Sequence, residues 1–288
     1  VSGVNQFGRW AFGPWFWPPT TSVTFQPIAN PWAPIGSFLG AECNPNTQEC
    51  DPASWAKIPA TPTPSMGMEA FADTPVINGT VYPKVTLEPK SYRFKVLNAA
   101  NDRFFNLSLY EASGTGCNPA TGSHCTEVAL NPTEVAAAKT DPIAFPTPVA
   151  KAGPDWVQIA TESGFLANPA VIPAQPITWV TDPTVFNAGN VDQHSLLVGP
   201  AERVDVVVDF SQWAGKTLIL YNDAPAAFPA RDPRYDYYTD DADLRDTGGA
   251  NTTPEGYGPN TRTIMQITIA GNPAPAFNTT KLNKAFAA

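Results

Sequence analysis

The stretch YRFKVLNAANDRFFNLSLY, residues 92–110, contains two apolar-rich segments separated by a short polar break. In the first segment, Tyr92, Phe94 and Val96 alternate with two basic residues. Alternation with a period of two predicts a strand that has one apolar and one charged face. The second segment, FFNLSLY, also has the composition of a strand. The stretch therefore indicates two consecutive strands of a half-buried antiparallel sheet.

Short segments of the same kind recur from about residue 74 onward, between turn-forming connections. They are VYPKVTL (81–87), SYRFKVLN (91–98), FFNLSLY (104–110), DWVQIAT (155–161), RVDVVVDF (203–210), KTLILYND (216–223) and TIMQITIA (263–270). Asn78-Gly79 is a turn dipeptide between two strands. Only NPTEVAAAKT (131–140) has the pattern of a short helix, with Thr133 as its expected cap. The fold class that this predicts is all-β, a sandwich or Greek-key barrel.

The composition narrows the classes of function. With 43% apolar residues, a chain of 288 residues can bury a sizeable core. The net charge of −9 and the absence of a basic run argue against a nucleic-acid partner. No stretch approaches the ~18 consecutive apolar residues of a membrane span. Charged residues make up 15%, against roughly 25% in ordinary domains, which indicates a surface that contacts other protein.

The chain divides into three parts by pattern. Residues 1–70 are rich in proline and aromatic residues, and we expect an extended interdomain segment there. Residues 71–270 contain the predicted strands and form the domain, and residues 271–288 are expected to be a linker or tail. The segment 228–262 is too long for an ordinary hairpin and is predicted to be an inserted contact loop. Because the sequence opens at Val1-Ser2-Gly3 without an initiator methionine or a signal peptide, we expect a mature product or an excised piece.

The four cysteines fall in two close pairs, Cys43 with Cys50 and Cys117 with Cys125. Each pair opens with Cys-Asn-Pro and closes after a short polar loop, and neither has the spacing of a zinc site. We therefore predict two local disulfides, Cys43–Cys50 and Cys117–Cys125. Disulfides indicate an oxidising location, either secreted or in the periplasm and cell envelope.

Five stretches in fixed order resemble the middle cupredoxin-like domain of a large bacterial multicopper oxidase. They are MGMEAFADTPVINGTVYP (66–83), YRFKVLNAANDRFFNLSLY (92–110), WVQIATESGFLANP (156–169), LLVGPAERVDVVVDFS (196–211) and LYNDAPAAFP (220–229). Each is modest alone, but the combination is specific. The resemblance implies a cupredoxin-like Greek-key fold in a laccase-like enzyme, which couples substrate oxidation to reduction of dioxygen to water.

The copper sites of that family require more histidine ligands than this chain contains. A blue copper site uses two histidines, a cysteine and usually a methionine, and the family's trinuclear cluster uses eight imidazoles from its first and last domains. This chain has two histidines, His124 and His194, in unrelated contexts. The resemblance therefore implies a copper-free middle domain without catalytic residues, which is no enzyme by itself. Copper and the flanking copper-binding domains are then expected in the parent protein, on the same polypeptide or on cleaved chains.

Other interpretations place a function within the chain. A stand-alone extracellular β-sandwich would bind a partner through the 228–262 loop, and acidic residues there would hold calcium through carboxylate oxygens. They are Asp236, Asp240, Asp241, Asp243 and Asp246. In a weaker alternative, His124 or His194 would hold copper at an oligomer interface. In a secreted eukaryotic product, the sequons at Asn78, Asn106, Asn251 and Asn278 would invite glycans.

Overall fold

The computed structural model describes residues 75–114, 117–118, 125, 127–138, 140, 146–226, 228, 236, 238, 241–242 and 262–287. The predicted interdomain segment 1–70 lies outside these residues. The described chain forms β1 (Val76–Ile77), β2 (Thr80–Val81), β3 (Lys84–Leu87), β4 (Ser91–Leu97), β5 (Phe105–Glu111), α1 (Pro132–Ala138), β6 (Trp156–Thr161), β7 (Gly164–Ile172), β8 (Leu196–Val198), β9 (Arg203–Asp209), β10 (Thr217–Asn222), β11 (Thr263–Ile269) and α2 (Thr279–Phe286). The all-β prediction is confirmed.

The strands form two main sheets and a small hairpin. The five-stranded sheet has the order β3-β11-β10-β5-β8, and the four-stranded sheet has the order β4-β9-β6-β7. All neighbours are antiparallel except β3 and β11, which pair in parallel. The β1–β2 hairpin turns at Asn78 and Gly79, whose φ angles of 48° and 83° confirm the predicted turn. Strand β3, near the start of the described residues, therefore lies in the same sheet beside β11, which is the last strand.

The main core lies between the two sheets and follows the alternation seen in the sequence. Val204, Val206 and Val208 of β9 are buried, as the pattern predicted. Val207 is buried as well, which strict alternation did not predict. The inner faces of both sheets supply the remaining core side chains, which are Leu107, Leu109, Trp156, Leu196, Val198, Phe210, Leu218, Ile264, Ile267 and Ile269.

The outer face of the five-stranded sheet is covered too. Tyr110, Ile219 and Tyr221 point away from the main core and form a second buried cluster with Val128 of the β5–β6 connection. That connection returns to the sheet at Gly153, whose N–H donates to the Leu109 carbonyl at 2.7 Å. A Cβ atom at position 153 would lie 2.8 Å from that oxygen, so the approach requires glycine.

The two helices are short. Helix α1 confirms the prediction, but its predicted cap Thr133 is wrong: Asn131 is the cap, and its Oδ1 accepts from the N–H groups of Thr133 and Glu134 at 3.0 and 3.4 Å. Pro132 suits the first helical position, which places the cap one residue earlier. In the described ranges, neither helix is long and apolar enough to cross a membrane.

Helix α2 lies in the segment that we expected to be a linker or tail. Asn278 caps it by accepting from the Lys281 N–H at 2.8 Å. Phe286 packs edge-on against Phe165 of β7, with 5.8 Å between ring centroids. The sequence pattern failed here because a helix of about two turns gives little periodic signal. The helix covers part of the exposed edge strand β7.

Candidate functional site at the base of the long loop

The predicted 228–262 loop lies between two strands, β10 and β11, that are neighbours in the five-stranded sheet. Asp223 follows the last residue of β10, and Arg262 precedes the first residue of β11. The Asn222 N–H donates to the Arg262 carbonyl at 2.7 Å, and this hydrogen bond joins the end of β10 to the residue before β11. A set of buried charged and aromatic side chains gathers here, and it comprises Arg103, Tyr110, Tyr221, Asp223, Asp236, Tyr238 and Arg262. We call this set the loop-base cluster.

A buried ion pair anchors the loop near its entry. The Arg103 Nη2 donates to the Asp236 Oδ1 at 3.0 Å and lies 3.3 Å from the Ala224 carbonyl. The other oxygen of Asp236 accepts from the Ala226 N–H at 2.8 Å. The Asp236 side chain is fully buried and that of Arg103 is 9% exposed. Both carboxylate oxygens therefore serve the attachment of the loop to the domain.

Arg262, directly before β11, provides a second buried cation. Its Nη1 donates to the Pro146 carbonyl at 2.8 Å and to the Tyr221 hydroxyl at 3.2 Å. Its guanidinium lies 5.1 Å from the centre of the Tyr238 ring, within cation–π range. Burial lowers the pKa of Arg262, but the nearby Tyr221 and acidic groups outweigh it, and the pKa is raised overall. Arg262 thus stays charged in the interior.

The Asp223 carboxyl is fully buried at the end of β10. Its Oδ2 accepts from the Ile177 N–H at 2.6 Å, while no hydrogen-bond partner is found for its Oδ1 within the described chain. Burial raises the pKa of Asp223 to about 7, although the charge of Arg262 opposes this. Burial likewise raises the pKa of Tyr221 well above its ordinary value. The Asp223 carboxyl therefore gains or loses a proton near neutral pH.

Two buried asparagines connect the cluster to the adjacent strands. The Asn222 Oδ1 accepts from the N–H groups of Asn106 and Ala224 at 2.9 and 3.0 Å. The Asn106 Oδ1 accepts from the Ser195 N–H at 2.7 Å. Asn106 is fully buried, so its sequon is inaccessible in the folded domain. The sequons at Asn78 and Asn278 are exposed, and that at Asn251 lies outside the described residues.

The predicted calcium residues are only partly described. Asp236 and Asp241 are buried, and Asp236 is committed to Arg103. The remaining candidates, Asp240, Asp243 and Asp246, lie outside the described residues. Nowhere in the described ranges do three or more histidine, cysteine, aspartate or glutamate side chains gather in a group able to hold a metal ion.

The copper candidates do not come together in the described part of the chain. His194 is exposed, and its Nδ1 lies 2.7 Å from the Ser195 carbonyl oxygen. His124 lies outside the described residues. Cys117 and Cys125 form the predicted disulfide, with 4.6 Å between their Cα atoms, and Cys43–Cys50 is outside the description. A blue copper site needs two imidazoles and a thiolate, and the described residues do not bring that ligand set together.

Sequence reasoning missed the loop-base cluster. Its members lie far apart in the sequence, and Arg103 and Asp236 are separated by 133 positions. A weak signal existed, since Asp223 and Arg262 each adjoin the end of a strongly apolar strand segment. A charged residue in that place is usually solvated, and only the fold shows that Asp223 and Arg262 are buried.

Sequence comparison identifies relatives over more than half of the chain. A laccase from Haloferax volcanii is 35% identical over 162 residues, 56% of this chain and 19% of the relative. A laccase from Bacillus subtilis is 26% identical over 166 residues, 58% of this chain and 20% of the relative. No protein-family model matches the chain. The chain thus spans about a fifth of the length of these relatives.

Among solved structures, the McoA multicopper oxidase of Aquifex aeolicus aligns with 70% of this chain and 26% of its own, at 20% identity and a TM-score of 0.35. The sequence relatives also include "Multicopper oxidase LPR2" of Arabidopsis thaliana, which is 26% identical over 59% of this chain and 19% of its own length. Over more than half of its length, this all-β chain is similar in sequence to laccases and multicopper oxidases.

Proposed function

We propose that this chain is the copper-free middle domain of a multicopper oxidase, and that it positions the copper-bearing domains on either side of it. The parent enzyme couples oxidation of its substrate to the reduction of dioxygen to water. The observation that carries this proposal is the ligand count: the relatives are copper oxidases, yet the whole chain contains two histidines. Eight imidazoles cannot come from this chain.

The short coverage of the relatives supports the proposal. A chain that matches about a fifth of each relative corresponds to a part of such an enzyme. The low content of charged residues, 15%, is in keeping with a surface that flanking domains cover. The role of this domain in catalysis is then to fix the distance and orientation of its neighbours, and electrons travel outside it.

The loop-base cluster gives that role a physical basis. Two buried arginines tie described parts of the long loop to the sheet, through Asp236 and Tyr238. Such anchoring suits a segment that serves as a contact surface, because less conformational entropy remains to be lost on association. We propose that the 228–262 loop contacts a flanking domain.

We place the parent protein in a secreted or periplasmic location. The Cys117–Cys125 disulfide supports this, because such bonds persist in oxidising compartments. The alternative function, a stand-alone calcium-stabilised binding module, has less support. Asp236 uses both of its oxygens within the protein, on Arg103 and on the Ala226 N–H.

The reading frame around this chain tests the proposal. Sequencing of the complete gene should show histidine-rich H-x-H and H-C-H motifs both upstream and downstream of the 288 residues. A signal peptide directly upstream together with a stop codon shortly after Ala288 would instead support the stand-alone module. The two functions therefore predict different flanking sequences.

A further inference from the structure

A cavity of about 300 Å³ lies between the two sheets, at the end that the β1–β2 hairpin borders. Its walls come from the inner faces of both sheets and are predominantly apolar. The apolar lining residues include Phe94, Val96, Leu107, Trp156, Ile264 and Met265. All of the lining residues belong to the described part of the chain. The cavity has no role in the proposed positioning function.

Two polar side chains in the lining, those of Trp156 and Asn98, are already engaged in hydrogen bonds. The Trp156 Nε1 donates to the Leu107 carbonyl at 2.9 Å. The Asn98 Nδ2 donates to the carbonyls of Arg103 and Val198 at 2.8 and 3.0 Å. These indole and amide donors therefore offer nothing further to a ligand.

The nearby charge faces the other way. Lys95 is one of the lining residues, but it stands opposite Asp205 in the register of β4 and β9, on the exposed face of β4, whereas Phe94 and Val96 are on the inner face. Successive side chains of a strand point to opposite faces. A charged ligand would enter this cavity without a counter-ion and would lose its hydration, which is costly.

The cavity is accessible from solvent. Apolar residues around it are partly exposed rather than fully buried, and they are Ile77, Phe94, Val96, Phe105, Leu220 and Met265. Phenyl edges and a thioether make favourable contacts with an aromatic guest. Apolar cavities take up small apolar molecules such as benzene, and this volume lies at the lower limit of ordinary ligand pockets.

We propose that this cavity is a binding site for a small, uncharged, apolar molecule of the aromatic-hydrocarbon class. The ligand enters past Ile77 and Phe94 and rests between Leu107, Trp156 and Met265. Its binding energy comes from apolar surface removed from water and from contacts that the empty cavity lacks.

Toluene serves as the probe in the test. The 288-residue chain, labelled with ¹³C at its methionine methyl groups, is titrated with toluene and observed by NMR. The signal of Met265, assigned from a Met265→Leu variant, should shift and saturate, and the melting temperature should rise by about 5 °C near saturation. A matched pair of variants locates the site: Val96→Phe fills the cavity, and Val171→Phe makes the same change on the exposed part of β7.

The expected result is at least a tenfold loss of toluene affinity in Val96→Phe and unchanged affinity in Val171→Phe. The NMR titration of the unsubstituted chain decides the matter even if Val96→Phe fails to fold. The proposal is overturned if the Met265 signal shows no saturable shift, whether another part of the chain fills the cavity or toluene cannot enter it. Equal affinities in a folded Val96→Phe and the unsubstituted chain would also overturn it.

Discussion

Arg103 and Asp236 form an ion pair at 3.0 Å inside the domain, although 133 positions separate them in the sequence. The pair joins the residues just before β5 to the long loop. Buried pairs contribute little net stability relative to apolar residues of equal volume, but loss of one partner leaves an uncompensated buried charge. The pair therefore specifies where the loop attaches to the domain.

Removal of one charge of this pair should be costly. We expect Asp236→Ala to lower the free energy of unfolding by about 3–5 kcal/mol, because Arg103 remains buried without its anion. The control is Asp205→Ala, which breaks the pair with the half-exposed Arg93 and should cost about 1 kcal/mol or less. Urea unfolding followed by tryptophan fluorescence measures both. Equal losses in the two variants would contradict the anchoring role.

The stability of the domain should depend on pH through Asp223. Its pKa is about 7 in the folded state, against about 3.9 for an unperturbed carboxyl in the unfolded chain. Between these values only the folded state binds the proton, so stability is greatest below about pH 4 for this group and falls as the pH rises to 7. The loss amounts to at most about 4 kcal/mol from this group.

The Asp223→Asn variant isolates this effect. It retains an acceptor for the Ile177 N–H but carries no charge, so its unfolding free energy should stay nearly flat between pH 5 and pH 8. Asp205 and Glu111 add no slope in this window, because hydrogen bonds from Arg93 and Lys216 hold their pKa values below the ordinary range. Urea unfolding at several pH values is the measurement. Parallel curves for variant and unsubstituted chain would show that Asp223 does not titrate there.

The Cys117–Cys125 disulfide and the predicted Cys43–Cys50 disulfide can be tested separately. We expect the double variant Cys117→Ser, Cys125→Ser to unfold with about 2–3 kcal/mol less free energy, because the unfolded chain regains the freedom of the closed loop. If Cys43–Cys50 also forms, this variant should show no reactive thiol under denaturing conditions until a reductant is added. Two reactive thiols without reductant would refute the Cys43–Cys50 prediction.

Local sequence patterns predicted strands that have a buried face, but they did not predict the exposed strand β7 or the ion pair of Arg103 and Asp236. The alternation at Tyr92, Phe94 and Val96 identified β4 because one face of the strand is buried. Strand β7 was missed because most of its residues are exposed and it carries no such pattern. The ion pair of Arg103 and Asp236 could not be predicted, because its partners are brought together only by the fold.

The candidate site shows the same limit. The sequence indicated that 228–262 is an inserted loop and that Cys117 and Cys125 are bridged. It did not indicate that Asp223 is buried, because a strand ending in a polar Asn-Asp pair normally meets solvent. The cavity was also unpredictable, since it depends on how side chains from two sheets fail to fill the space between them.

The copper content of the purified chain distinguishes a copper-free domain from one that binds copper. After incubation with copper and removal of loose metal, elemental mass spectrometry gives the copper per chain, and a visible spectrum reports any blue copper band. For a copper-free middle domain we expect far less than one copper per chain and no band, both for the unsubstituted chain and for His194→Ala. Stoichiometric copper, whether one per chain or one per oligomer, that is lost in His194→Ala or His124→Ala would contradict this expectation.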